Sequence, residues 1–261
     1  MKKMPVLFVG HGNPMNALDK NSPFNQNFRQ TTQTFEKPKA ILMISAHWYS
    51  SRLQVTSGEN PPMIYDFHGF PEELNQVQYP AQGSPELAEK VRSLLAPESV
   101  EMNPTRGFDH GAWTVLKYLY LDADVPVVQL SINRLQPAEW HFALAKKLAP
   151  LRDEGVLIIG SGNIVHNLRA ISWEHINQIG AGYDWAFAFR NEINQAIDAQ
   201  NDDLLVHYGQ LGENAELAVP TPDHYLPLLY VMALREPSDK VAFFNDELMA
   251  GSLSMTSVLI G

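Results

Sequence analysis

The sequence contains no cysteine among its 261 residues. This absence excludes a disulfide framework, thiolate zinc sites, iron–sulfur clusters and a cysteine nucleophile. Any metal that the protein binds must therefore be held by histidine, aspartate or glutamate side chains.

Basic residues and long apolar runs are also scarce. Lysine and arginine number 19 against 29 aspartate and glutamate residues, which gives a net charge of −10 without a basic cluster. We therefore expect no nucleic-acid partner. No apolar run approaches the roughly 20 residues of a membrane span, and the run before Gly10 is too short for the core of a secretory signal. The sequence predicts a cytoplasmic protein without a membrane partner.

What the sequence does contain is an alternation of short apolar runs with segments of helical periodicity. Hydrophobic residues make up 45% of the chain and charged residues 18%, a composition typical of globular proteins. Strands are predicted at residues 5–9, 40–46, 125–130, 156–159 and 241–244. Helices are predicted at 112–121, 138–148, 185–197 and 225–234, and after a Ser84 cap. The pattern predicts a single α/β domain over residues 1–261, with a central, mostly parallel sheet flanked by helices.

Three of the nine histidines follow predicted strands. They are His11 in VLFVGHGNP, His47 in ILMISAHW and His166 in VLIIGSGNIVH. Because ligands bind beyond the carboxyl ends of strands in open α/β sheets, we predict that these imidazoles share one site. His224 in TPDHYLPLLY and His110 in TRGFDHGAW precede predicted helices and are candidates for the same site.

The other histidines have less distinctive surroundings. His141 is predicted on the face of a helix, whereas His175 and His207 lie in polar stretches and are predicted at the surface.

The segment 58–82 is rich in proline, glycine, asparagine and aromatic residues, and loops of this length are often functional. Its candidate substrate-binding residues are Tyr65, Phe67, His68 and Phe70. The aromatic side chains could stack on a ring, but packing against the core explains them equally well.

Imidazoles gathered at one sheet edge favour a divalent borderline metal, either zinc or ferrous iron. Three protein ligands would leave a position open, and further histidines could transfer protons. Other schemes fit less well. The GSGN turn at 160–163 lacks the Gly-x-Ser-x-Gly pattern of a hydrolase elbow. It also lacks the lysine of a P-loop and a full Gly-x-Gly-x-x-Gly fingerprint.

Several of these motifs occur together in a fixed order along nearly the whole chain. They are GHGNPMNAL, ISAHW, YDFHGFPEELNQVQYPAQG, RGFDHGAW, PVVQLSIN, GSGNIVHNL and TPDHYLPLLYVMAL. In this respect the chain resembles the LigB-type class III extradiol ring-cleaving dioxygenases, in their DOPA 4,5-dioxygenase-like branch.

The resemblance implies a LigB-like α/β fold with one divalent metal per chain. It implies Fe(II) for oxygenase activity. Because zinc generally outcompetes ferrous iron for nitrogen ligands, we expect Zn(II) in purified material. The family's metal ligands fall on His11, His47 and His224. His166 matches the acid/base histidine, which can also approach the metal, and His110 matches a histidine that assists substrate binding and proton transfer. The implied reaction takes a catechol and O2, as in 4,5-cleavage of DOPA, and gives a hydroxymuconic semialdehyde.

One departure keeps alternatives open. The classical LigB enzyme uses two histidines and a glutamate, whereas this chain has His224 at the third position, with Asp223 beside it. Because an all-nitrogen triad also resembles hydrolytic zinc sites, a zinc-dependent hydrolase is one alternative. A catalytically silent metal-binding homologue is the other. The sequence does not indicate an oligomeric state.

Overall fold

Strands and helices alternate along residues 3–261, the part of the chain that the computed structural model describes. The strands in this range are β1 (Val6–Gly10), β2 (Ala40–Ser50), β3 (Leu53–Thr56), β4 (Val100–Asn103), β5 (Val127–Asn133), β6 (Val156–Gly162), β7 (Val241–Phe244), β8 (Leu248–Met249), β9 (Leu253–Ser254) and β10 (Ser257–Ile260). The α-helices are α1 (Pro23–Thr32), α2 (Glu72–Asn75), α3 (Pro85–Leu94), α4 (His110–Leu119), α5 (Ala138–Lys146), α6 (Pro150–Asp153), α7 (Asp184–Asp198), α8 (Asp202–Val206), α9 (Glu213–Ala218) and α10 (Leu226–Met232). None of the helices described is both long enough and apolar enough to cross a bilayer.

Eight strands form one mixed sheet in the order β4-β3-β5-β2-β6-β1-β10-β7. The four central strands β5, β2, β6 and β1 are mutually parallel. Strands β10 and β7 pair antiparallel at one side, and β3 is antiparallel to β5 at the other. The prediction of a mostly parallel sheet flanked by helices is confirmed.

The central strands are apolar on both faces because helices cover both. In β2, Leu42 and Ile44 belong to a buried cluster that includes residues of α5, α7 and α10. Ile41 and Met43 point to the opposite face and join a second cluster with residues of α1 and α4. This two-sided burial explains why the run lacks the alternation of a half-exposed strand.

The predicted strands are present, but β2 is longer than expected. After a register shift beyond Ile44, it pairs with β5 again through Tyr49 and Ser50. His47 therefore lies within the strand rather than after it, in the irregular stretch between the paired residues Ile44 and Tyr49. Helix α4 begins at residue 110, before the expected 112, because the Asp109 side chain accepts the N–H of Ala112 and caps the helix.

Candidate metal centre and active site

Three imidazoles converge at the carboxyl edge of the sheet. His11 follows β1 directly, His47 lies in the last part of β2, and His224 ends a short 3-10 turn before α10. The ring centroids of His11 and His47 are 5.0 Å apart, those of His11 and His224 are 5.2 Å apart, and those of His47 and His224 are 5.0 Å apart. Residues from distant parts of the chain thus form a nearly equilateral triangle.

The hydrogen bonds of His11 direct a free lone pair into this triangle. Its Nδ1 is 3.1 Å from the Ser161 hydroxyl, which donates its own proton to the carbonyl of Gly111 at 2.6 Å. Nδ1 must then be the donor, so Nε2 is unprotonated. That Nε2 lies 3.1 Å from Nε2 of His47. Two facing imidazole nitrogens favour a cation or a shared proton between them.

His224 shows the same arrangement from the opposite side. Its Nδ1 pairs with the Asp223 carboxylate, which fixes the proton on that nitrogen. Its Nε2 is buried and has no hydrogen-bond partner within residues 3–261. A buried polar atom without a partner is costly, and a carboxylate on the far nitrogen is the usual support of a metal-binding histidine. The site therefore fits a divalent metal that accepts nitrogen ligands.

Burial keeps these imidazoles neutral. It lowers the pKa of His11 and of His224 well below the ordinary value, and the neighbouring histidines lower it further. Burial also lowers the pKa of His47, although nearby carboxylates oppose this effect. Neutral imidazole is the form that binds a metal ion, so the site is ready for a metal near neutral pH.

His110 lies against the same cluster. Its ring centroid is 3.8 Å from that of His47 and 6.0 Å from that of His11. His11, His47 and His110 each offer a nitrogen within 4.8 Å of the other two. His11, His47 and His110 thus form an alternative set of three nitrogen ligands, which shares His11 and His47 with the first set. Nδ1 of His110 lies 2.9 Å from a carboxylate oxygen of Asp66, which leaves Nε2 free.

His166 stacks on His224, with ring centroids 3.5 Å apart and planes 4° from parallel. Burial lowers the pKa of His166 to about 4, even though the charge of Asp223 acts in the opposite direction. Its backbone is held by a hydrogen bond from its N–H to the Ala218 carbonyl at 2.8 Å. His166 is thus a neutral proton acceptor at the side of the triangle.

The aromatic candidates of segment 58–82 take different positions. Phe67 lies 5.7 Å from the His110 ring and 5.6 Å from Phe70. The Tyr65 hydroxyl donates to the carbonyl of Val77 at 2.7 Å, so it is engaged within the segment. His68 is exposed. Phe67 is the member that lies directly beside the imidazole cluster.

Sequence reasoning missed the polar residues that support the histidines. Asp66 accepts the backbone N–H and Nδ1–H of His110, each at 2.9 Å. Burial raises its pKa, but the contacts with His110 outweigh this effect and bring the pKa down to about 2. Asp109 is fully buried and accepts the Ser45 hydroxyl at 2.6 Å. The position of Asp66 inside YDFHGF was the available signal, since that motif already held candidate residues.

The remaining histidines have other partners. His141 lies on α5, as predicted, but on its buried face, between the Tyr230 hydroxyl at 2.9 Å and the Asn133 carbonyl at 3.1 Å. His175 and His207 are both partly exposed.

Comparison with known proteins gives consistent matches over the chain. The family model described as the catalytic LigB subunit of aromatic ring-opening dioxygenase matches residues 5–225. The chain is 44% identical to a 4,5-DOPA dioxygenase extradiol of Escherichia coli K12, over 99% of this chain and 95% of the relative. It is 38% identical to a 4,5-DOPA dioxygenase extradiol of Beta vulgaris, over 97% and 94%. A crystal structure of an uncharacterized Escherichia coli K12 protein superimposes with a TM-score of 0.86 at 41% identity, covering 99% of this chain and 100% of that one.

Proposed function

The chain belongs to the LigB family of aromatic ring-opening dioxygenases, and from that premise we propose that it cleaves catechols in the extradiol position. DOPA is the representative substrate, because similar proteins of Escherichia coli and Beta vulgaris carry the name 4,5-DOPA dioxygenase extradiol. The resemblance predicted from the sequence motifs is confirmed, and the hydrolase alternative is not favoured. The observation that carries the proposal is the triangle of buried, neutral imidazoles with the unpartnered Nε2 of His224.

The proposed metal ligands are His11, His47 and His224. Two features support this set over the one that contains His110. The ring separations are nearly equal, and His224 combines a carboxylate on Nδ1 with a buried, unpartnered Nε2. His110 instead packs closely against His47. From this position it can contact a substrate that binds beside the three metal ligands.

The proposed cofactor is one divalent metal per chain, with Fe(II) as the active form. Ferrous iron supplies the electron transfer between catechol and dioxygen that amino-acid side chains cannot provide. Zinc prefers the same nitrogen donors and has no redox chemistry. We therefore expect Zn(II) in purified material and no oxygenase activity from that form.

The protein side chains have distinct roles in this proposal. His166, neutral and stacked on His224, accepts a proton from a catechol hydroxyl. His110, whose Nδ1 is held by Asp66, presents Nε2 to the substrate and returns a proton to the developing product. Phe67 borders His110 and limits the access of water to this side of the ring. Cleavage next to the diol, with both oxygen atoms of O2 retained, gives a hydroxymuconic semialdehyde.

We further propose that residues 1–261 act as one catalytic domain. The main sheet uses strands from β1 near the beginning of the chain to β10 near its end. The proposed ligands follow β1, lie in β2 and end the turn before α10, so the set extends over residues 11–224 and neither half of the chain contains it.

The proposal is tested by loading the metal-free protein with Fe(II) under anaerobic conditions and then adding DOPA and oxygen. We expect oxygen uptake and the absorbance of a yellow semialdehyde, with neither in the Zn(II)-loaded control. Caffeate and other catechols extend the substrate panel. Lack of oxygen uptake across the whole panel would contradict the proposal, and zinc-dependent hydrolysis of an ester or amide would favour the hydrolase instead.

A further inference from the structure

A single carboxylate connects two histidines of the site. Asp66 lies in the segment between β3 and α3 and reaches His110 on α4 with one oxygen, Oδ1. Its other oxygen, Oδ2, lies 3.6 Å from Nδ1 of His47, within ion-pair distance. The rings of His47 and His110 are also in contact, with centroids 3.8 Å apart. One side chain therefore faces Nδ1 of both a proposed ligand and a proposed proton donor.

The backbone around Asp66 is fixed on its N-terminal side. The N–H of Ile64 donates to the Phe108 carbonyl at 2.7 Å, and the Ile64 carbonyl accepts Nε1–H of Trp113 at 3.0 Å. The Tyr65 hydroxyl donates to Val77. These contacts hold the carboxylate at a defined place relative to α4.

An ionised carboxylate can only accept hydrogen bonds. Nδ1 of His110, at 2.9 Å, is therefore the protonated nitrogen. The separation of 3.6 Å from Nδ1 of His47 is too long for a hydrogen bond, but the negative charge still favours a proton on that nitrogen, and Nε2 of each ring then keeps its lone pair. For His47 this lone pair points toward His11, at an Nε2–Nε2 distance of 3.1 Å. For His110 it remains available to a substrate.

We propose that Asp66 is a positioning residue that fixes the Nδ1–H tautomer of both His47 and His110, and thereby prepares the metal ligand and the proton donor together. The catalytic consequence rests on the proposed function, whereas the tautomers and the metal affinity do not. Supporting carboxylates of this kind typically change metal affinity by about 10–100-fold.

The substitution Asp66→Asn tests the charge and acceptor pattern at nearly constant size. Its single amide oxygen can replace Oδ1, which receives two hydrogen bonds from His110. The amide NH2 then faces His47, where it is a donor. It favours the Nε2–H tautomer of His47, which removes the lone pair on the side of His11.

The first measurement is the tautomeric state in the Zn(II)-loaded, 15N-histidine-labelled wild-type protein, from long-range 1H–15N correlation spectra. Signals are assigned by their loss in His47→Gln and His110→Gln. We expect both rings as Nδ1–H tautomers. An Nε2–H form of either ring in the wild-type protein would overturn the proposal without recourse to any Asp66 variant.

The second measurement is the affinity for Zn(II) by competition with a chelating dye. Asp66→Asn should bind Zn(II) about 10–100-fold more weakly, and Asp66→Glu, which keeps a carboxylate, should recover part of the loss. Glu73→Gln is the matched control, because it makes the same change at an exposed position of the same segment. Wild-type affinity in Asp66→Asn would overturn the proposal. If the proposed function failed instead, iron-loaded wild-type protein would consume no oxygen, while both of these readouts would stand.

Discussion

His166 and His224 stack face to face, with ring centroids 3.5 Å apart and planes 4° from parallel. The contact places two imidazoles of different proposed roles side by side. Nε2 of His224 is buried and without a partner in the described part of the chain. His166 covers the face of that ring, a position from which it can exchange a proton with a substrate at the open side of the triangle.

We predict that His166→Gln separates catalysis from metal binding. The affinity for Zn(II) should stay within a few-fold of wild type, because the three proposed ligands remain. The turnover number of the Fe(II)-loaded enzyme should fall about 100- to 10,000-fold, the usual contribution of a general acid or base. Zinc titration and oxygen-electrode assays on the same preparations provide the two values. A loss of zinc as severe as that in His224→Gln would instead make His166 a ligand.

Metal removal distinguishes the two possible groups of three nitrogens. A ligand that binds only the folded state adds about 2.7 kcal/mol to the free energy of unfolding at 100 times its Kd. We expect Zn(II) to stabilise the chelator-treated wild-type protein by this order in urea unfolding. His224→Gln should abolish the stabilisation, whereas His110→Gln should retain most of it. The reverse result would assign the metal to His11, His47 and His110.

The central part of the fold could be predicted from the sequence because its signal is local. Strands buried on both faces appear as unbroken apolar runs, so β1, β2, β5 and β6 were identifiable. The carboxyl ends of parallel strands meet at one edge, and this rule is what groups His11, His47 and His166 in the sequence analysis. The short strands β3, β4, β8, β9 and β10 are not predicted, since two to four residues give little periodicity; β7 is as short, but its run VAFF is wholly apolar and is predicted.

The supporting residues of the site could not be predicted because their contacts are non-local. Asp66 is 44 positions from His110, and Ser161 is 150 positions from His11. Neither pairing leaves a pattern within a window of the sequence. The burial of His141 was equally hidden, since it depends on how α5 packs against Tyr230 of α10.

Gly111→Ala should damage the site through steric contact. A Cβ at this position would lie 2.6 Å from Cδ2 of His47 and 2.6 Å from the Ser45 hydroxyl oxygen. Within a helix, alanine is otherwise favoured over glycine by about 1 kcal/mol. We nevertheless expect a net loss of about 1–3 kcal/mol in stability from overpacking, with weaker Zn(II) binding because the His47 ring must move. Urea unfolding and zinc titration measure the two effects.

The matched control is Gly209→Ala, where no atom lies within 4 Å of the added Cβ. Its stability and zinc affinity should remain close to wild type. Gain of stability in Gly111→Ala, with unchanged zinc binding, would show that the His47 ring does not require the space next to Gly111.

The buried His141 should make folding stability depend on pH in a defined window. Nε2–H of His141 donates to the Asn133 carbonyl, and Nδ1 accepts the Tyr230 hydroxyl proton, so both nitrogens are satisfied in the neutral form. Burial lowers its pKa from the ordinary value of 6.5 to about 4, although backbone carbonyls oppose this effect. Between these values the unfolded chain binds more protons than the folded protein, so stability rises with pH.

This contribution should therefore be complete above pH 6.5 and should be lost progressively as the pH falls toward 4, by an amount on the order of 3 kcal/mol. Because carboxylates also titrate in this range, the measurement compares urea unfolding of wild type and His141→Gln from pH 4 to pH 8. Glutamine offers an amide NH2 donor and a carbonyl oxygen acceptor but does not titrate. As the pH falls, the free energy of unfolding of the wild-type protein should decrease more than that of His141→Gln. Parallel curves would mean that the folded protein accommodates a charged His141, in contradiction to its complete burial between α5 and α10.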